Sequence, residues 1–446
     1  MQSSYVELSK RVTGSVHQRG EAGFASEIAA FNTATTHSPE IAVAAASAAD
    51  VVEAVRFARE HRQRVTVQAT GHGAEVPITS GMLLSTRRLD RVVVDAAART
   101  ATIGAGARWE SVIEAASEHG LAPIAGSSTT VGVVGYLLGG GLGPLARSHG
   151  FSSDYVLGFS VVTGQGELLR ASADENADLF WALRGGKLGL GIVTEVKIRL
   201  VELRSLYGGS LMFEEQHIEA ALRGWVRWTR EADPRITTSA SIVRFPPIEA
   251  LPPPLRGRRL LALHVAFPGS SEEGVRVVQP LRSLAPVYID DVVEMPAREI
   301  ARIYADPTNP GPAWTTGLNV RHIDDDFATA LVRHVGAGTN TPLFGVQVRH
   351  LGEATTRDVE EGSSATGRDA GYLLGIVATD PSLFGSAVPR AAEALLHDLR
   401  AWSTGGTNIN FLGAHVTERA DTAWPADVRS RLEAIRSRHD PRRIFG

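Results

Sequence analysis

The sequence contains no cysteine among its 446 residues. This absence excludes disulfide bonds, thiolate catalysis, and zinc or iron–sulfur centres that depend on cysteine ligands. No run of about 18 apolar residues occurs, so no membrane-spanning helix is predicted. The first residues also lack an apolar stretch of signal-peptide length. Together these absences lead us to expect a cytoplasmic protein.

An excess of positive charge is also missing, because 45 basic residues face 49 acidic ones and the formal net charge is -4. Without a general basic field there is nothing to attract phosphates, so neither nucleic acid nor a membrane surface is an expected partner. The 14 histidines show no H-x-x-x-H or H-E-x-x-H spacing. We therefore predict no metal site. The oligomeric state is left open.

The chain does contain an alternation of helical and strand patterns in its first half. Residues 1–40 are polar and mixed, and we interpret them as a surface lead-in. A helix is predicted over 47–61, capped by Ser47, and a β-branched run over 64–68 predicts a strand. Strands over 91–95 and 100–104 follow. This alternation is typical of an α/β or α+β domain.

Three glycine-rich turns, at residues 70–73, 126–143 and 185–191, also lie in the first half. Glycine lets the backbone approach a ligand closely and turn its N–H groups onto an anion. The three turns therefore predict a phosphate-bearing cofactor. One alternative is a Rossmann dinucleotide site at 141–146, which matches G-x-G-x-x-A. Pro144 and the lack of an apolar strand before this turn weigh against it.

After residue 204 the pattern changes to strand-like segments, among them 260–267, 344–351 and 372–378. These segments predict a second domain with a large antiparallel sheet. Glycine-rich turns occur again from residue 404, and a last helix is predicted near 426–437. We therefore divide the chain into a domain over 1–204, a second domain over 205–403, and a C-terminal segment over 404–446 that returns to the first domain.

Four segments in order carry a family resemblance: Val65–Gly73, Gly126–Gly143, Asp178–Gly186 and Asn410–Gly413. The chain resembles the FAD-linked oxidases of the berberine bridge enzyme-like group, in the vanillyl-alcohol oxidase/PCMH superfamily. The likeness is strong over residues 40–200 and 404–446 and weak between them. It implies an α+β fold: a PCMH-type FAD-binding domain of two α/β subdomains, and a substrate domain with a large antiparallel sheet flanked by helices.

The resemblance implies that His72 forms a covalent bond to the flavin of FAD. It also assigns a further set of residues to the cofactor: Thr70, Gly71, Gly73, Ser128, Thr129, Thr130, Val131, Gly132, Gly135, Tyr136, Gly139, Gly140, Gly141, Gly143, Gly191, Val193 and Asn410. Some members carry a second covalent bond, from a cysteine in the second segment. Here that position is Ser128, so at most one covalent bond is expected.

The catalytic base is the second departure from the family. Many members carry a tyrosine two residues before the motif asparagine, and here that position is Asn408. An amide is no useful base near pH 7. The candidates that we consider instead are His350 and Tyr372, with His322 and Tyr136 behind them.

The sequence therefore predicts an FAD-dependent oxidase. It would move a hydride from a small alcohol, sugar or natural-product substrate to the flavin and pass the electrons to molecular oxygen, giving hydrogen peroxide. Two alternatives stay open. One is an NAD(P)-dependent dehydrogenase that uses residues 141–146. The other is a flavin-binding protein that has lost its chemistry.

Overall fold

The computed structural model describes residues 2–187 and 189–445. Three main sheets and the helices packed on them make up this part of the chain, so the predicted α+β architecture is confirmed. No helix in the described residues is long and apolar enough to cross a membrane.

The first sheet has four strands in the order β1-β2-β4-β3, of which β2, β3 and β4 run parallel. The elements of this region are α1 (Gln2–Arg11), β1 (Ser15–Gln18), α2 (Phe24–Ile28), β2 (Ile41–Ala44), α3 (Ala48–Glu60), β3 (Val65–Gln68) and β4 (Met82–Ser85). The side chain of Ser47 accepts a hydrogen bond from the Asp50 N–H, as predicted for the cap of α3. Helix α3 buries Val51, Val55 and Phe57 against this sheet.

The second sheet is antiparallel, with five strands in the order β5-β6-β10-β8-β9, while β7 pairs with β11. The elements of this region are β5 (Val92–Asp95), β6 (Thr100–Gly104), α4 (Trp109–Ser117), β7 (Leu121–Ala122), α5 (Val133–Leu137), α6 (Ala146–His149), β8 (Val156–Val162), β9 (Leu168–Ala171), α7 (Ala177–Leu183), β10 (Ile192–Arg199) and β11 (Val201–Glu202). The predicted strands over 91–95 and 100–104 are confirmed.

The third sheet is the large antiparallel sheet that the second half predicts. Its eight strands follow the order β15-β12-β14-β13-β18-β19-β17, with β16 beside β12. The elements are β12 (Ser205–Glu214), α8 (Ile218–Trp228), β13 (Thr237–Arg244), β14 (Arg259–Phe267), α9 (Ser271–Arg282), β15 (Ile289–Asp290), β16 (Val293–Pro296), β17 (Trp314–Val320), α10 (Asp325–Val335), β18 (Gly345–His350), β19 (Tyr372–Ala378) and α11 (Ala387–Asp398).

The two faces of this sheet have different roles, because successive side chains of a strand point to opposite faces. Val346 and Val348 of β18 belong to the apolar core that α8, α10 and α11 cover. Arg349 lies on the other face, where its Nη1 donates to the Leu142 carbonyl of the glycine-rich segment at 2.9 Å. This second face, which α8, α10 and α11 leave uncovered, therefore packs against the first half of the chain. We call it the uncovered face.

The C-terminal segment adds α12 (Val416–Arg419) and α13 (Ala426–His439). After α13 the chain reaches the first sheet, where the Val65 N–H donates to the Ile444 carbonyl at 2.7 Å. The carboxylate of Asp440 accepts the N–H groups of Ile444 and Phe445, which holds this connection in place. The segment therefore links the third sheet to the strand that leads into residues 70–73.

Two predictions need correction. The first is the surface lead-in, because α1 and β1 form part of the first sheet region, and Leu8, Val12 and Val16 are buried in its core. The second is the Rossmann alternative. The turn at 141–146 follows α5, which is a helix, and the helix after it, α6, has only four residues. A dinucleotide-binding turn needs a strand before it and a full helix after it.

Candidate functional site

The turn at residues 70–73 begins where β3 ends, and its backbone requires glycine at one position. Gly71 has φ +74°, and a Cβ there would lie 2.7 Å from the Ala30 Cα. Any other residue would be strained and would clash with this backbone. The close approach of the two segments places the side chain of His72 against Phe31, the neighbour of Ala30.

The partly buried imidazole of His72 has three contacts that fix its orientation. Its ring stacks on Phe31, with ring centres 3.7 Å apart and planes 14° apart. Its Nδ1 lies 2.8 Å from Thr70 Oγ1 and its Nε2 lies 3.1 Å from Thr130 Oγ1. Burial, helped by the nearby charge of Arg108, lowers the pKa of His72 to about 4. The ring is therefore neutral at pH 7, and the nitrogen without a proton accepts a hydrogen bond from a threonine hydroxyl.

The glycine-rich segment 126–143 passes beside this histidine. The hydroxyls of Ser128 and Thr130 lie 3.0 Å apart. The segment is fixed from behind by α4, because the backbone N–H of Trp109 donates to the Val131 carbonyl at 3.1 Å. A Cβ added at Gly135 would meet no atom within 4 Å. Open space therefore lies along part of this segment.

Tyr136 is a partly buried side chain of the segment, and its ring fills the space that Gly126 and Gly141 leave free. A Cβ at Gly141 would lie 2.4 Å from the ring. Burial raises the pKa of Tyr136 to about 12, so the phenol stays protonated. Its hydroxyl faces Ser152 but forms no hydrogen bond with any described residue. A buried donor without a partner is the feature expected of a ligand site.

The C-terminal segment reaches the same place through Asn410. The Asn410 Nδ2 donates to the Tyr136 carbonyl at 3.0 Å, and its Oδ1 accepts from Lys187 Nζ at 2.8 Å. A Cβ at Gly139 would lie 2.1 Å from that Oδ1, so only glycine fits there. Asn408, at the position of the family's tyrosine, is buried, and its Oδ1 accepts the Asn410 N–H at 2.9 Å. Asn408 thus positions Asn410.

Lys187 and Glu75 are two partly buried ionisable residues that the sequence analysis missed. Glu75 follows His72 by three residues, and its Oε1 accepts from Thr315 Oγ1 of β17 at 3.2 Å. Burial raises the pKa of Glu75 to about 7, although Thr315 and Lys187 partly oppose this rise. Burial lowers the pKa of Lys187 to about 8, and Glu75 opposes that change. We call Glu75, Lys187, Thr315 and Asn410 the Glu75 cluster.

The structure does not bring His350 and Tyr372 to this cluster. Both lie on the helix-covered face of the third sheet, in register with each other, and their rings stack 5.0 Å apart. The Tyr372 hydroxyl lies 2.8 Å from Thr229 Oγ1, and His350 Nε2 accepts from Arg147 Nη1 at 2.9 Å. Burial lowers the pKa of His350 well below its ordinary value. His322, the third candidate, is exposed beside Asp324.

The remaining predicted cofactor residues lie along the same two segments or behind them. The Thr129 carbonyl accepts the Glu110 N–H at 2.9 Å, and Gly132 caps α5. Gly140 and Gly143 belong to the buried end of the glycine-rich segment. Gly191 and Val193 lie at the start of β10, where Val193 pairs with Val161 of β8. Their predicted place on the adenine side stays a prediction.

An exposed group elsewhere brings three potential metal-ligand atoms together. Glu7, Glu60 and His61 place one ligand atom each within 4.8 Å of the others. Arg11 pairs with both carboxylates, however, with its Nη2 2.9 Å from Glu60. Its guanidinium supplies the positive charge that a metal ion would bring, so this group gives no support for a metal centre.

Comparisons with known proteins agree with this geometry. Residues 39–172 match the family described as FAD binding domain. The (R)-6-hydroxynicotine oxidase of Paenarthrobacter nicotinovorans is 25% identical over 427 residues, which cover 91% of this chain and 90% of that protein. The solved structure of BBE-like 1 from Physcomitrella patens has a TM-score of 0.86 at 19% identity and covers 99% of this chain and 97% of that one.

A third similar protein bears on the cofactor. The structure of glucooligosaccharide oxidase from Acremonium strictum has a TM-score of 0.83 at 21% identity, and covers 100% of this chain and 98% of that one. It is described with a 6-S-cysteinyl, 8α-N1-histidyl FAD. The fold and the site thus define an FAD-binding oxidoreductase. The chain is an FAD-dependent oxidoreductase that contains an FAD-binding domain and shares the fold of these solved structures.

The residues fit this cofactor. Its aromatic ring system needs a flat, open passage beside glycines, and its polar edge needs buried donors. The open space beside Gly135 could receive the ring system, and the unpartnered Tyr136 hydroxyl could donate to its polar edge. The neutral ring of His72 contacts the same segment through Thr130.

Removing one hydroxyl tests whether Tyr372 is structural. We expect Tyr372→Phe to lower the free energy of unfolding by about 1 kcal/mol, because Thr229 loses a buried hydrogen bond. Flavin content and the rate of flavin reduction should stay unchanged. Urea unfolding and stopped-flow spectroscopy would measure these quantities. A drop in the reduction rate of about 100-fold or more would instead identify Tyr372 as the base.

Proposed function

We propose that this protein is an FAD-linked oxidase that holds FAD through one covalent bond from His72. The single observation that carries the proposal is the fixed, neutral imidazole between Thr70 and Thr130. A neutral nitrogen is nucleophilic, so it suits bond formation with the flavin. The histidyl FAD named for the similar glucooligosaccharide oxidase supports the same attachment.

The attachment is single. The similar oxidase is described with a cysteinyl bond as well, but this chain has no cysteine, and Ser128 stands at the position that the family resemblance gives to it. The Ser128 hydroxyl lies beside Thr130, which itself contacts His72. We propose that Ser128 and Thr130 orient the histidine and the cofactor by hydrogen bonds alone.

The uncovered face of the third sheet is the proposed place for the substrate. There the guanidinium of Arg349 lies over the rings of Tyr304 and Phe411, at 5.3 and 5.2 Å. The Tyr304 hydroxyl accepts from Ser239 Oγ at 3.2 Å, and its ring stacks on His264 at 4.4 Å. Phe411 follows Asn410 directly, so this polar and aromatic surface continues into the Glu75 cluster.

The mixture of hydroxyl, guanidinium and aromatic groups suits a small organic molecule that carries oxygen or nitrogen. We propose an alcohol, a sugar or a nitrogen-containing natural product that loses a hydride from the carbon bearing its O–H or N–H group. The bound FAD supplies the hydride acceptor, and we propose molecular oxygen as the final electron acceptor, with hydrogen peroxide as product. The protein's own residues orient the substrate and take up its proton.

Acid precipitation of the purified protein tests the attachment. We expect the yellow colour to remain with the protein pellet, because a covalent bond survives unfolding. Incubation with a panel of 6-hydroxynicotine, xylobiose and simple secondary alcohols should then yield hydrogen peroxide with at least one compound, detected by a coupled peroxidase assay. Yellow supernatant and a colourless pellet would contradict the covalent bond. Reduction of the flavin without peroxide would contradict oxygen as the acceptor.

A further inference from the structure

We propose that Glu75 is the base that accepts the substrate's proton, and that the positive charge of Lys187 favours the ionised form of this carboxylate. The inference rests on the proposed function, because it names the group that the oxidation requires and that Asn408 does not supply. Glu75 would be a catalytic residue, since its carboxylate would touch the substrate. Lys187 would be a positioning residue.

Four distant segments of the chain meet in the Glu75 cluster. Glu75 continues the turn that carries His72, and Thr315 of β17 donates to it at 3.2 Å. Lys187 lies in the loop after α7, and its Nζ donates to Asn410 Oδ1 of the C-terminal segment. The same Nζ is close to the turn of His72, since a Cβ added at Gly73 would lie 4.0 Å from it. The carboxylate of Glu75 therefore lies where the turn of His72, the glycine-rich loops and the third sheet meet.

The charges around Glu75 suit a base. From the loop, Lys187 faces it as a cation, and its attraction favours the ionised carboxylate. In its own turn His72 is neutral near pH 7. From β17 and the C-terminal segment come the uncharged Thr315 and Asn410. Because its pKa is about 7, Glu75 is mostly ionised above pH 7 and can accept a proton there. Below pH 7 it is mostly protonated and cannot act as a base.

No other candidate combines position and charge in this way. Tyr136 stays protonated, since burial raises its pKa to about 12. Asn408 is an amide whose oxygen already accepts a backbone N–H. His350 and Tyr372 lie on the helix-covered face of the sheet. A partly buried carboxylate whose pKa lies near 7, with a cation close by, is the arrangement expected of a general base.

In the proposed step an alcohol substrate is oxidised to a carbonyl compound. The C–H bond would break and its hydrogen would leave with two electrons as a hydride, for which the FAD would supply the acceptor. The O–H bond breaks, its proton goes to the Glu75 carboxylate, and the oxygen's electron pair forms the carbonyl double bond. The substrate is oxidised by two electrons, and Glu75 ends as a neutral carboxylic acid. Its proton then passes to solvent, which restores the base.

A spectroscopic titration of the oxidised, flavin-loaded protein tests Glu75 without any substrate. Charge that changes near the flavin shifts its absorption bands. Because the pKa of Lys187 is about 8, this residue titrates in the same range, so Glu75 is followed in the Lys187→Met protein. Lys187→Met should show one transition, above pH 7 because the cation that favours ionisation of Glu75 is gone. The double variant Lys187→Met, Glu75→Gln should lose this transition, while the double variant Lys187→Met, Glu118→Gln, altered at the exposed C-terminal end of α4, keeps it. A transition that persists when Glu75→Gln is added, or that is absent in Lys187→Met alone, overturns the proposal.

Anaerobic stopped-flow reduction with a compound that the panel identifies tests the catalytic role. Glu75→Gln should slow reduction by about 100- to 10,000-fold and flatten its rise with pH, and Glu75→Asp should recover part of the rate. Wild-type reduction in Glu75→Gln, or a loss confined to Lys187→Met, overturns the assignment. Such a failure leaves yellow, covalently loaded protein that produces peroxide. Failure of the proposed function would instead show a colourless pellet or no peroxide from the wild type.

Discussion

Replacing His72 with alanine is expected to release the flavin from the protein on acid denaturation, so that the yellow colour moves from the pellet to the supernatant. The change removes the only nucleophile that the turn at 70–73 presents between Thr70 and Thr130. The fold should survive, because the turn depends on Gly71 and its approach to Ala30 and not on the imidazole. Fluorescence of protein bands after denaturing electrophoresis measures the bound flavin directly.

The size of this effect follows from the difference between a covalent bond and an equilibrium. In the variant the flavin is held by contacts alone, so dilution or dialysis should remove it. The protein should also oxidise its substrate more slowly, because an 8α-linked histidine raises the reduction potential of the flavin. His119→Ala, at an exposed position after α4, serves as the matched control and should retain full pellet fluorescence. Pellet fluorescence that survives in His72→Ala would assign the bond to another residue.

Elements with a local signature could be predicted from the sequence. The strand at Val65–Gln68 is a β-branched run, and the helix at Ala48–Glu60 is preceded by Ser47, whose side chain caps it. Such signals depend only on neighbouring residues. The N-terminal region could not be predicted in this way. Its strand Ser15–Gln18 is formed by pairing with Ile41–Ala44, and its polar composition hides the few buried apolar residues.

For the catalytic candidates, too, local structure could be predicted from the sequence but position in the fold could not. His350 and Tyr372 were placed correctly in strands, yet the sequence does not say which face of the sheet they occupy. Because side chains alternate, a shift of one residue decides between the flavin side and the helix-covered side. Arg349, the neighbour of His350, lies on the uncovered face over Tyr304 and Phe411.

The Glu75 cluster depends entirely on long-range contacts. Glu75 and Lys187 are separated by more than 100 positions, and Thr315 lies in the second half of the chain. One compositional signal was available. Only three of the 45 basic residues are lysine, and one of them interrupts the glycine-rich turn at 185–191. Lysine shifts its pKa readily when buried, whereas arginine stays charged, so an isolated lysine in a glycine turn was a reason to look for a partner.

Replacing Arg147 with methionine is expected to cause a large loss of stability at the junction of the two halves. Its guanidinium is buried, and it donates to the carbonyls of Ile236 and Leu351 and to His350 Nε2. Methionine fills a similar volume but donates nothing, so three buried acceptors lose their partner. Each such loss costs about 1–3 kcal/mol. Part of this sum is offset, because the variant no longer has to remove a charged guanidinium from water when it folds. We therefore expect a net loss of about 3 kcal/mol in the free energy of unfolding.

Urea unfolding of the flavin-loaded protein measures this loss, and Arg147→Lys is its matched control. Lysine keeps the charge but cannot reach three acceptors from one planar group, so the loss should be intermediate. Because Arg147 contacts the helix-covered side of the sheet through His350, the pH at which the flavin absorption titrates should stay near that of the wild type. An unfolding free energy unchanged within about 0.5 kcal/mol would show that water satisfies the three acceptors instead. A displaced titration would show that His350 and Arg147 act on the flavin side after all, and would reopen His350 as a participant in the chemistry.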